Sequence, residues 1–285
     1  MHRPRQAAPA AYPTRRMALG AAALVASLSL AACVAPTPSA TSGSPTGTDA
    51  APASATADGL SGEIVVLAAA SLQDAFEEIA ADFQEANPSA SVTFDFQGSQ
   101  DLVTALAEGA TADVLATANN STMDAAASQS LVDDQTEFAT NVLTLIVPAG
   151  NPAGVTGIDD GSLDGADLVV CAPEVPCGEA TRALAKQLGI TLAPASEERK
   201  VTDVRGKVES GEADAGIVYT TDAADAGDAV EVIALPDNDV VNHYPIALTR
   251  DTVNAETAQA FVDLVLSDAG QAVLAAHGFG APTGQ

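Results

Sequence analysis

The sequence predicts an α/β protein of two lobes with a ligand cleft between them. Three observations predict it. From residue 62 onward, an apolar strand, a small-residue turn and an amphipathic helix repeat as a unit, the pattern of a parallel sheet. Near residue 141 a strand runs into a Pro/Gly-rich loop, after which a second α/β set begins. Near residue 243 the pattern changes again, to a return strand and a helical tail placed to complete the first set. Such a chain crosses twice between lobes. The expected division is lobe 1 at 62–140 and 243–285, and lobe 2 at 141–242, within a binding domain 62–285.

The chain has 285 residues. Residues 1–16 carry Arg3, Arg5, Arg15 and Arg16 and no acid, and 17–32 are small or apolar. This reads as a secretory signal peptide, 1–32, with an apolar part too short for a permanent span. Leu30-Ala31-Ala32-Cys33 resembles the bacterial lipoprotein processing box, which would make Cys33 the lipidated first residue. Arg15-Arg16 also resembles a twin-arginine export signal, so the export route stays open. Residues 33–61 are rich in Ala, Pro, Thr, Ser and Gly and cannot form a core, so they read as a flexible tether. The expected location is therefore the outer face of the cell membrane, as a lipid-anchored monomer.

The first unit is centred on 63–76. Its apolar run Ile64-Val65-Val66-Leu67 predicts a buried parallel strand, and Phe76, Ile79, Ala80 and Phe83 recur on one helix face. Ser71 stands where a helix N-cap belongs. The helix stops at Asn87-Pro88. A strand at 91–96, a turn at 97–101 carrying Ser99, and a helix ending at Gly109 follow, then a strand at 113–118. The second set begins with strands at 141–148 and 168–171. A loop containing Cys177 leads to a helix ending at Gly189. Thr202-Asp203-Val204-Arg205 opens another helix, closed at Gly211, and a strand at 215–219 ends on Tyr219. A strand at 230–235, a return strand from His243 to Thr249, and helices at 255–266 and 268–276 complete the chain.

Four of the 11 basic residues and none of the 38 acidic ones lie in the signal, so its removal takes the formal net charge from −27 to −31. Such a field repels nucleic acid and anionic surfaces, and an anion site must win by dipoles at contact distance. The junctions supply such dipoles. Ser71, Ser99, the loop at Cys177, Val204 at a helix start and Tyr219 offer hydroxyl or backbone N–H donors, and none is charged. Read singly, the serines are caps, Val204 is core and Tyr219 is a core tyrosine. Read together, a donor-only set suits a tetrahedral dianion without protons, such as sulfate, molybdate or tungstate. It rejects protonated phosphate, whose O–H would find no acceptor.

These segments carry a resemblance. Ala68-Ala69-Ala70-Ser71-Leu72, Phe96-Gln97-Gly98-Ser99, Gly109 to Val114, Pro173 to Gly178, Asp203-Val204-Arg205-Gly206 and Gly216-Ile217-Val218-Tyr219 follow in order. Together they resemble the periplasmic molybdate-binding proteins, solute receptors of the molybdate ABC importers. The resemblance implies a type II periplasmic-binding-protein fold, two α/β lobes joined by two crossover strands. It implies molybdate or tungstate as ligand, an ABC permease as partner, no cofactor and no catalysis. It implies binding by the hydroxyls of Ser71, Ser99 and Tyr219 and the backbone N–H groups of Cys177 and Val204. Ser99 stands between Gly98 and Gln100 where the family often has a serine run, and Cys177 stands where it often has alanine.

Other functions find less in the sequence. A hydrolase needs a nucleophile with a base, and His243 and His277 lie in no triad context. A ferric-ion receptor of similar fold wants tyrosine clusters, whereas only Tyr219 and Tyr244 follow the signal. Cys171 and Cys177 lack Cys-x-x-Cys spacing, which argues against a thiol oxidoreductase. Outside the cytoplasm the two could bridge if the loop with Pro173 and Pro176 doubles back. The alternative is two free thiols, Cys171 in the sheet and Cys177 at the cleft wall.

Overall fold

A computed structural model describes residues 59–283 of the chain. The expected signal at 1–32, the lipidated Cys33 and nearly all of the 33–61 tether lie outside the described residues. Two five-stranded sheets organise the rest.

The first sheet has β1 (Ser61–Ala69) between β2 (Ser89–Gln97) and β3 (Val114–Ala116), all parallel. β10 (Asn242–Leu248) then pairs antiparallel with β3 and with β4 (Thr136–Asn141). In the second sheet, β6 (Leu168–Cys171) lies between β7 (Ser196–Glu198) and β8 (Ala215–Tyr219), again parallel. β5 (Leu143–Pro148) pairs antiparallel with β8 and with β9 (Val230–Ile233). The spatial orders, β2-β1-β3-β10-β4 and β7-β6-β8-β5-β9, share one plan. Each sheet holds three parallel strands and receives its antiparallel strand from a segment crossing between lobes. Only Val142 separates β4 from β5, so one extended segment serves both sheets.

The helices begin and end where local chemistry allows. α1 (Gln73–Ala86) ends at Asn87 before Pro88. α4 (Pro176–Leu188) opens with Pro176, whose missing N–H costs nothing in the first turn, and closes on Gly189 at φ 69°. α2 (Ser99–Ala107), α5 (Val201–Glu209), α7 (Ala255–Leu266) and α8 (Asp268–Ala276) fall where the apolar period predicts helix. Four elements escaped the sequence reading: β4, β7, α3 (Asn120–Ser128) and α6 (Thr220–Ala226). Each lacks a legible period. β7 is three polar residues on a sheet edge, and α3 buries only Thr122, Met123 and Ala126.

Lobe 1 buries apolar side chains on both faces of its sheet. On one, Phe76 packs against Phe94, Phe138 and Phe261 with ring centroids 6.3, 5.6 and 6.0 Å away. On the other, Leu67, Leu102, Leu115 and Met123 form a second cluster. Each large side chain removed from water here contributes about 1.5–3 kcal/mol. In lobe 2, α5 lies hard against β8. A Cβ at Gly216 would come within 2.9 Å of Val204 and 2.8 Å of Val208, so only glycine admits the helix this close.

Candidate functional site

This packing brings the start of α5 to the cleft. The carboxyl ends of β1 and β8 and the N-termini of α2, α4 and α5 converge on a small cavity between the lobes. Ser71, Gly98 and Ser99 line it from lobe 1, and Cys177, Val201 and Tyr219 from lobe 2. None of its lining residues carries a formal charge. Helix N-termini at the carboxyl ends of strands present N–H groups and positive partial charge.

Neither serine acts as the cap its position suggests. Ser71 sits in a single 3-10 turn, Ala70–Leu72, and Leu72 holds the N-cap position of α1 with no side-chain cap bond. Its hydroxyl instead pairs with the Tyr244 hydroxyl at 3.0 Å. Ser99 is the first residue of α2, with Gly98 at the N-cap. Its oxygen accepts the Ala118 N–H at 3.1 Å. In both cases the helix starts differently from the sequence expectation, and the hydroxyl is released from helix duty.

Cys177 is the second residue of α4 and is bridged to Cys171, with Cα atoms 5.7 Å apart. The loop between them doubles back through a Val175 N–H to Ala172 C=O bond of 3.0 Å. Val204 lies one turn into α5 and is fully buried. Val201, the first residue of that helix, lines the cavity, whereas Val204 is not among the lining residues. Tyr219 ends β8 and is 1% exposed.

Behind the cavity stands a polar network that sequence reasoning missed. The Asn242 amide donates to the Ala118 carbonyl at 2.8 Å and to the Tyr219 hydroxyl at 2.9 Å. Asn242 opens β10 and pairs in register with Asn141, the last residue of β4. Asn141 in turn donates to Thr221 at 2.9 Å and accepts from Thr220 at 3.1 Å, both in lobe 2. The two asparagines thus stand at the two crossings. The only sequence signal was a polar residue bordering each apolar strand run.

The donor arithmetic follows from these partners. A hydroxyl has one proton to give and lone pairs to accept. Tyr219 accepts from Asn242 and Ser99 accepts from Ala118, so neither bond uses the hydroxyl's own proton. The Ser71 and Tyr244 hydroxyls share one bond in which either can be the donor. Burial, with the Tyr244 phenol and Asp222 adding to it, pushes the Tyr219 phenol well above its ordinary value. Burial raises Tyr244 likewise. Both phenols therefore keep their protons at neutral and mildly alkaline pH. Burial also pushes the Asp222 carboxyl up to about 7, against the pull of Arg205. Asp222 Oδ2 accepts the Tyr219 backbone N–H at 3.3 Å at the start of α6.

Comparison with known proteins places this geometry. The description of bacterial extracellular solute-binding proteins matches residues 64–280. Over 221 residues the chain is 44% identical to the molybdate-binding protein ModA of Mycobacterium tuberculosis, spanning 77% of this chain and 85% of that protein. Among solved structures, the periplasmic molybdate-binding protein of Azotobacter vinelandii aligns with a TM-score of 0.66 at 19% identity, over 77% of this chain and 100% of that one. The sulfate-binding protein SubI of M. tuberculosis aligns with the same TM-score and identity, over 78% and 88%. At such identity these two structures speak for the fold alone.

Proposed function

The chain belongs to the bacterial extracellular solute-binding protein family, a family of binding proteins and not of enzymes, and we propose that it captures molybdate or tungstate for delivery to an ABC importer. The observation that carries this reading is the uncharged, donor-lined cavity within a strongly acidic chain. Its hydroxyls at Ser71, Ser99 and Tyr219 are donors that match an anion with only acceptor oxygens. The backbone at Cys177 and at the start of α5, from Val201 to Val204, adds N–H groups without adding a cation.

Such a set holds a dianion by many short bonds and no ion pair. Each bond from a neutral donor to a charged oxygen contributes about 1.5–3 kcal/mol. Phosphate, still protonated at neutral pH, brings an O–H that a site built of donors serves less well than it serves bare oxygens. Sulfate carries the right charge but is smaller, so some donors stand too far away to bond it. The 44% identity to a molybdate-binding protein supports the larger ion.

Further parts of the reading concern delivery. The binding domain is 62–285, with lobe 1 at 62–140 and 243–285 and lobe 2 at 141–242, and the lobes close around the ion. The protein is a monomer held to the outer face of the membrane by lipid on Cys33, through the 33–61 tether. A competition titration with molybdate, tungstate, sulfate and phosphate tests the ligand. Tight binding of the first two is expected, and equal affinity for sulfate overturns the molybdate assignment. Replacing Cys33 by serine is expected to release the protein into the medium, and retention at the membrane overturns the anchor.

A further inference from the structure

Glu179 is an odd residue to find at the edge of an anion site. It lies two positions after Cys177, in the first turn of α4, the helix whose N-terminus faces the cavity. It has no cation within ion-pair distance among the described residues. Its carboxylate is met from across the cleft. Asn119 Nδ2 and Ser121 Oγ of lobe 1 each donate to Glu179 Oε2 at 2.7 Å.

The lobe 1 partners form a socket that exists without Glu179. Asn119 is the N-cap of α3, and its amide oxygen accepts the Thr122 N–H at 3.2 Å. That bond fixes the amide, turns its NH2 outward and lets it also donate to Ser121 Oγ at 2.9 Å. A carboxylate docking there also meets the positive end of α3. Asn119 directly follows Ala118, whose N–H holds Ser99. The opposite rim has a similar join. Arg199, two residues before Val201, pairs with Asp101, two residues after Ser99, with Arg199 Nε 3.1 Å from Asp101 Oδ2. There Gln100 Nε2 also donates to the Arg199 carbonyl at 3.0 Å.

We propose that Glu179, docked on the Asn119–Ser121 socket, is a closure latch, and that the Arg199–Asp101 pair is its counterpart on the other rim. These are positioning residues that touch no ligand. Their bonds run between lobes and so exist only when the lobes are shut. They hold the helix N-termini on the ion and set how fast it leaves. The inference rests on the oxyanion reading given above.

Stopped-flow kinetics with molybdate test it on wild type, Glu179→Ala, Glu179→Gln and Glu179→Ala/Ser121→Ala. Glu179→Ala is expected to raise the dissociation rate about tenfold, the scale of a partly exposed charged hydrogen-bond pair. Its association rate and its melting temperature without ligand should stay at wild-type values, a split that a merely structural role does not produce. Glu179→Gln keeps an acceptor oxygen and should fall between. Adding Ser121→Ala to Glu179→Ala should add little, because the two share one bond. If wild type binds and Glu179→Ala dissociates at the same rate, the latch is overturned and the ligand reading stands. If wild type binds no molybdate, both fall together.

Discussion

Adding one methyl group at Gly98 should block closure while sparing the fold. Gly98 is the N-cap of α2, at φ −62° and ψ 137°, a conformation alanine adopts freely. Within lobe 1 its new Cβ would come nearest the tip of the Gln100 side chain, which can swing away. Across the cleft it would meet the backbone carbonyl of Arg199 well inside the 3.0 Å that real Cβ atoms respect. A backbone carbonyl cannot swing, so that rim must stay open by roughly an ångström. Donors at normal distances of about 2.7–3.2 Å would then be stretched beyond bonding range on one lobe. Losing two charge-assisted bonds costs about 3–6 kcal/mol, a loss of affinity of more than about a hundredfold. Alanine is also the poorer N-cap, worth at most about 1 kcal/mol of stability. Calorimetric titration with molybdate, melting without ligand and small-angle scattering with saturating ligand read the three effects. Gly178→Ala is the contrast, since its Cβ would strike the Ala172 carbonyl of its own lobe and so damage folding instead of closure. Parental affinity in Gly98→Ala would refute the reasoning, because the observed lobe contact would then play no part in binding.

Three other outcomes are expected. Tyr219→Phe removes a hydroxyl donor and leaves one Asn242 N–H unpaired, so affinity should fall ten- to about a hundredfold and the melting temperature should drop as well; unchanged affinity by titration would take Tyr219 out of the site. Asp222 has its carboxyl raised from 3.8 to about 7, so between roughly those values the unfolded chain gives up its proton first and stability falls as pH rises, by up to about 4 kcal/mol. Asp222→Asn keeps an oxygen for the Tyr219 N–H and cannot ionise, so its melting temperature should fall less between pH 4 and 7; parallel curves for variant and wild type would refute this. Alkylation of the denatured, unreduced protein should add no label at Cys171 or Cys177, whereas replacing both by alanine should cost about 2 kcal/mol by melting and weaken molybdate binding; a labelled pair, or unaltered stability, would count against the bridge.

The strand–turn–helix units were legible because their signals are local. At 63–86 the apolar run, the small-residue turn and the Phe76–Ile79–Phe83 stripe all lie within two dozen residues, and the hydrophobic period records them directly. The same holds for the junctions ending in Ser99, Cys177 and Tyr219. Where the period is short or polar, as in β7 or α6, the sequence was silent and pairing with a distant strand or the packing of β8 made the element. The serines show the limit most plainly. Ser71 and Ser99 look like caps to any local rule, yet Ser71 bonds Tyr244, 173 residues away, and Ser99 holds the amide of Ala118.

By itself, then, the sequence determined the alternation of elements, the uncharged donors at their junctions and the acidic field around them. Tertiary structure decided which partners the buried hydroxyls meet. It placed Asn141 and Asn242 at the two crossings and put Val201, not the Val204 side chain, at the cavity wall. It also set Glu179 of α4 on the N-terminus of α3. The physical reason is range. Apolar periodicity and turn chemistry act between residues a few positions apart. A hydrogen bond's donor and acceptor are chosen by topology, which brings together groups 58 or 173 residues apart that no neighbouring residue announces.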